Sequence, residues 1–178
     1  MNNACAPTRL DVRAFAQASG QASGHEPLDR YARILEECQG RGSDLAVSWS
    51  ARGEIRAGQP EEQVWLQLDA EVCVPLTCQR CLEVVDVPLR VKRSFRFVAD
   101  EKTAALQDEE SEEDLLVLEG EFNLHELIED ELVLELPMIA RHEVCPGQTQ
   151  RANDTEFGIA VAGRPNPFAA LARLKSGQ

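Results

Sequence analysis

Val64-Trp-Leu-Gln-Leu-Asp-Ala-Glu-Val-Cys-Val74 is the stretch that decides the fold. Val64, Leu66, Leu68, Ala70, Val72 and Val74 alternate with Trp65, Gln67, Asp69, Glu71 and Cys73. A period of two over this length is the pattern of a strand with one buried face. It predicts Leu68 and Val72 in a core and Asp69 and Glu71 in water. Pro75 is expected to end the strand, because a proline gives the ladder no N–H.

Outward from this segment the same pattern recurs. Leu45, Val47, Trp49 and Ala51 alternate with polar or small neighbours, and Gly53 to Glu62 reads as a connection containing Gly58 and Pro60. A third alternation runs from Leu82 to Val98, with Pro88 marking an edge strand or a bulge. Leu115 to Leu118 reads as a fourth short strand. Short connections between alternating strands imply an antiparallel meander with one wet face.

Helical signals flank the strands. Asp11 to Ala18 reads as a short helix and Ser19 to Gly24 as a loose linker. Pro27 to Cys38 carries one apolar stripe of Leu28, Tyr31, Ile34 and Leu35, ended by Gly40 and Gly42. Asn123 can cap a helix with Glu126 three residues on, and Leu124, Leu127, Ile128, Leu132 and Leu136 supply its apolar face up to Pro137. Leu132, Leu134 and Leu136 also alternate, which leaves the last turn open to a strand. The fold class expected is α+β: an antiparallel sheet of three to four strands flanked by helices. Residues 1–147 form the single domain. Residues 148–178 form a flexible linker and a short tethered helix, capped by Asn166 and Pro167, with Phe168, Leu171 and Leu174 for docking on its own core or on a partner.

Composition bounds the function. Apolar residues at 43% and charged residues at 28% match a globular chain. The start has no apolar signal segment and no run is long enough to span a membrane, so a cytoplasmic protein is expected. The net charge of −13 comes from one block. Residues 100–143 hold sixteen acids against Lys102 and Arg141, leaving fifteen acids and sixteen bases elsewhere. The run Asp108, Glu109, Glu110, Glu112, Glu113 and Asp114 sits in an expected acidic loop over about residues 100–114. Such a surface attracts a basic protein partner and repels phosphate, or is simply a solvated face.

Three constellations could carry chemistry. Cys78-Gln-Arg-Cys81 is a knuckle that supplies two thiolates to zinc, and His142-Glu-Val-Cys145 would complete a Cys3His set for one zinc ion. The alternative is reduced cysteines in a turn. A redox role fits less well, because the pair follows a strand rather than opening a helix. Arg90, Lys92 and Arg96 lie at even positions of the third strand, opposite in parity to Leu89, Val91, Phe95 and Phe97, with Arg80 and Arg93 nearby. This stripe could track an RNA backbone, or could pair with acids of the next strand. His25, His125 and His142 are the only histidine bases, and there is no Walker loop, dinucleotide fingerprint or nucleophile elbow. A catalytic constellation and a small-molecule substrate are therefore not expected.

The ordered combination of Val74-Pro-Leu-Thr-Cys-Gln-Arg-Cys-Leu82, a basic strand, an acidic loop and Leu124-His-Glu-Leu-Ile-Glu-Asp-Glu-Leu-Val-Leu-Glu-Leu-Pro137 resembles the YceD family. The ending Arg164-Pro-Asn-Pro-Phe-Ala-Ala-Leu-Ala-Arg-Leu-Lys175 is also similar to that family's tail. The resemblance implies a role in synthesis, processing or stability of large-subunit (23S) ribosomal RNA, without a catalytic activity. Ribosomal RNA and a basic ribosomal protein are the partners it implies. A zinc-dependent RNA-processing enzyme and a protein adaptor without RNA contact are the alternatives. Some members carry a second cysteine pair where this chain has His142 and Cys145.

Overall fold

The computed structural model describes residues 8–58, 62–107, 111, 113–118 and 120–146. The chain divides into a unit over residues 1–142 and a second over 143–178, and the elements below belong to the first. In order they are α1 (Val12–Gln17), β1 (Gln21–Pro27), a 3₁₀ turn (Leu28–Arg30), α2 (Ala32–Glu37), β2 (Ala46–Arg56), β3 (Gln63–Thr77), β4 (Val84–Val98), α3 (Glu101–Gln107), β5 (Asp114–Val117) and α4 (Leu124–Leu134). The class is α+β, but the sheet has five strands rather than three to four, in the order β1-β2-β3-β4-β5. It is also mixed. β1 to β4 are antiparallel neighbours, whereas β5 runs parallel to β4.

Both departures have physical causes. Parallel neighbours need a crossover, and α3 supplies it between β4 and β5. The acid-rich stretch read as loop therefore begins as a helix, started by Asp100, whose Oδ1 accepts from the Thr103 N–H at 2.8 Å. The extra strand is β1, which includes most of the Ser/Gly-rich segment read as a linker and the Pro27 read as the start of a helix. Gly24 stands opposite Trp49, and a Cβ there would come within 2.5 Å of the indole ring. The glycine is a seat for a neighbouring aromatic, not a hinge.

Leu68 and Val72 are buried and Asp69 and Glu71 exposed, as the alternation predicts. β3 nonetheless passes through Pro75 to Thr77. β2 pairs with β3 only as far as Glu71, and β5 pairs with β4 only over Phe95–Val98. Pro75 and Pro88 therefore both lie in a two-stranded ribbon that extends past the other strands, where the missing N–H costs no ladder bond to a third strand. Leu66, Leu68, Leu89 and Phe95 are buried on one sheet face, on which α1 (Val12) and α4 (Leu124, Ile128, Leu132) pack, and α2 packs on α4 with Leu28, Tyr31 and Ile34 buried. Asn123 caps α4 by accepting from the Glu126 N–H at 3.2 Å, and the helix holds through Leu134, so its last turn is not a strand. The expected tail helix lies outside the described residues.

Candidate metal centre and flanking charged surfaces

The knuckle forms the tip of the β3–β4 ribbon. Cys78 N–H donates to Glu83 O at 2.9 Å, and Leu82 N–H donates to Cys78 O at 2.9 Å. Leu82 takes a left-handed φ of 64° to close this turn, a conformation that a branched side chain adopts only when its surroundings impose it. After α4 the chain returns to the tip, where Gln79 N–H donates to Ala140 O at 2.9 Å. That bond delivers His142.

The imidazole is held at both ends. Nε2 lies 3.0 Å from the carbonyl oxygen of Val84. A carbonyl only accepts, so Nε2 carries the proton and Nδ1 presents its lone pair 3.4 Å from Cys81 Sγ. A tetrahedron with Zn–S near 2.3 Å and Zn–N near 2.0 Å has edges of roughly 3.5 Å. The donor atoms of Cys78, Cys81 and His142, all in the first unit, lie within 4.8 Å of one another, while Cys145 belongs to the second unit. The first three could hold a metal ion, and the Val84 carbonyl is the outer partner that fixes the ligating nitrogen. Desolvation raises the Cys78 thiol, but hydrogen bonds from the backbones of Cys81, His142 and Arg80 outweigh it, and its pKa falls to about 5. The thiolate, the ligating form, is thus favoured before any metal arrives.

The basic residues divide between the two faces. Arg90 and Lys92 are exposed on the outer face, and the register sets Glu71 opposite Arg90 and Asp69 opposite Lys92. Two shallow hollows of about 410 and 520 Å³ on this face share Ser50, Asp69 and Lys92. Arg96 is on the same face but donates to Gln107 Oε1 at 3.0 Å and Ser111 Oγ at 2.6 Å. Arg93 belongs to the opposite face, where its guanidinium lies 3.4 Å from Glu131 of α4 and 3.6 Å from Asp114 of β5. Arg80 is exposed at the ribbon tip. Of the acidic run, Asp108, Glu109, Glu110 and Glu112 lie outside the described residues. Glu113 precedes β5 and Asp114 opens it.

Two features escaped the sequence patterns. Tyr31 and His125 stack with ring centroids 4.4 Å apart, beside the Glu26 carboxylate at 3.8 Å from His125 Nε2. Leu134, Met138 and Ile139, past the point where α4 turns its apolar face inward, are exposed.

Residues 66–175 match the family model described as large ribosomal RNA subunit accumulation protein YceD. The large ribosomal RNA subunit accumulation protein YceD of Haemophilus influenzae is 30% identical over 174 residues, covering 95% of each chain. No solved structure matches the chain. No helix among the described residues is long and apolar enough to cross a membrane. With the knuckle, ribbon and α4 of this geometry inside the matched span, the chain belongs to the YceD family of large ribosomal RNA subunit accumulation proteins.

Proposed function

We propose that this chain supports accumulation of the large-subunit (23S) ribosomal RNA in the cytoplasm, acting by binding rather than by catalysis. The observation that carries the reading is the relative of that description, aligned over 95% of both chains. One zinc ion held by Cys78, Cys81, His142 and Cys145 completes the proposed site. Four protein donors fill a tetrahedral shell, and a zinc bound so is structural, because catalysis needs a position left for water or substrate. Its contribution is to tie the ribbon tip to the segment that follows α4.

The charged surfaces divide the partner question. For RNA the outer face offers Arg90 and Lys92, with Arg80 at the tip, but each strand base stands opposite an acid of β3. That arrangement weakens a phosphate track. The acidic run from Asp108 to Asp114 favours a basic ribosomal protein as the first contact. The test of non-catalytic action is incubation of the zinc-loaded chain with precursor large-subunit RNA. The RNA is expected to be recovered with its ends unchanged. Cleavage that disappears in Cys78→Ser would establish the enzyme reading instead.

A further inference from the structure

Helix α4 stops at Leu134 with Glu135 as its C-cap, and α2 stops at Glu37. The two pack side by side, tied by Arg33 of α2 to Glu129 and Asp130 of α4. Both end at one hollow of about 220 Å³, lined among others by Glu37, Gln39, Leu76, Leu136, Pro137 and Met138. Glu37 is the one charged residue among those that line it. Glu37 is exposed, as is Glu135, which precedes the lining residue Leu136 in sequence, and the C-terminal end of α4 adds the partial negative charge of its last carbonyls. Of the cations at hand, Arg41 is spent inside the wall, donating to Thr77 Oγ1 at 2.8 Å, and Arg141 follows the groove in sequence.

Leu134 is 71% exposed, Ile139 64%, and Met138 fully so. Single exposed apolar residues need no explanation, but three within six positions, with Met138 in the wall of the hollow that Glu37 also lines, mark a contact surface. The hollow is smaller than the usual small-molecule site and suits one anchoring side chain. A nucleic-acid backbone would meet the Glu37 carboxylate there.

We infer that the groove at the C-terminal ends of α2 and α4 docks a short segment of a basic protein. An apolar side chain of that segment seats against Leu136 and Met138, and an adjacent lysine or arginine meets Glu37. The partner's identification as a protein of the large ribosomal subunit rests on the function proposed above.

The test titrates the full chain against each purified large-subunit ribosomal protein in turn. At least one should bind, and Met138→Glu combined with Ile139→Glu should weaken it about tenfold or more. Glu37→Lys should weaken it about three- to tenfold, most at low salt. All three positions are exposed, so circular dichroism should be unchanged. The inference is overturned if no ribosomal protein binds. It is equally overturned if the same proteins bind both variants with unaltered Kd, or if the double variant only converts a dimer of this chain to a monomer. Cells distinguish the two levels. Normal large-subunit rRNA without the chain would remove the proposed function, whereas full rescue by the double variant would remove the groove alone.

Discussion

The guanidinium of Arg93 lies 3.4 Å from the carboxylate of Glu131, although Lys92 and Arg96 on the same strand face the other side of the sheet. Arg93 shares its parity with Leu89, Val91, Phe95 and Phe97, so it points at α4. There it serves a largely buried acid. Burial raises the Glu131 carboxyl above its usual range, and the nearby Arg93 opposes the shift without cancelling it.

A pH signature follows from that balance. A carboxyl whose folded pKa is raised binds more protons in the native chain than in the unfolded one, so stability falls as pH climbs through the window above 4.5. Glu131→Gln lacks this slope. Urea titrations between about pH 4 and about pH 7 should show the Gln variant gaining on the wild type as pH rises. A constant difference across that range would contradict the assignment.

Arg93→Ala should act on stability and not on RNA binding. It strands Glu131, at a cost of about 1–2 kcal/mol after allowing for the half-exposed guanidinium. Arg90→Gln with Lys92→Gln, which puts no like charges opposite Glu71 and Asp69, should cost less stability than Arg93→Ala and lower any salt-dependent RNA affinity. The comparison needs urea midpoints and a binding titration at two salt concentrations. Equal stability losses in both variants would contradict the division of β4 between two faces.

On β3, Leu68→Ala should cost about 2–5 kcal/mol and Glu71→Ala less than about 0.5. Leu68 is fully buried and Glu71 is on the open face. Chemical denaturation of the two variants measures the difference directly.

Metal analysis of protein purified without chelator should find about one zinc per chain. Cys78→Ser and His142→Ala should each lose it, and chelation of the wild type should lower the melting temperature. Metal-free protein with all thiols reduced would contradict the site.

Where order in the chain comes from local pattern, the sequence shows it. The alternation of β3, the parity of Phe95 and Phe97, and the Asn123 cap of α4 are all complete within a dozen residues. What needed the structure depends on distant partners. Gly24 reads as linker because its reason, the Trp49 indole, is on another strand. The crossover helix α3 was hidden by surrounding acids, although the Asp100–Thr103 cap was a usable signal. Arg93 was legible too, since its odd position already set it apart from Arg90 and Lys92. The knuckle and His142 could be paired by chemistry alone. The Gln79–Ala140 bond that joins them, and the Val84 carbonyl that selects Nδ1, have no signature in spacing.

The central claim is that the chain is needed for large-subunit rRNA to accumulate. The ratio of large- to small-subunit rRNA, measured in cells depleted of the chain and in the same cells supplied with it again, tests this most directly. The account predicts a lowered ratio on depletion and restoration by the wild-type chain. A ratio that stays unchanged when the chain is gone would contradict it.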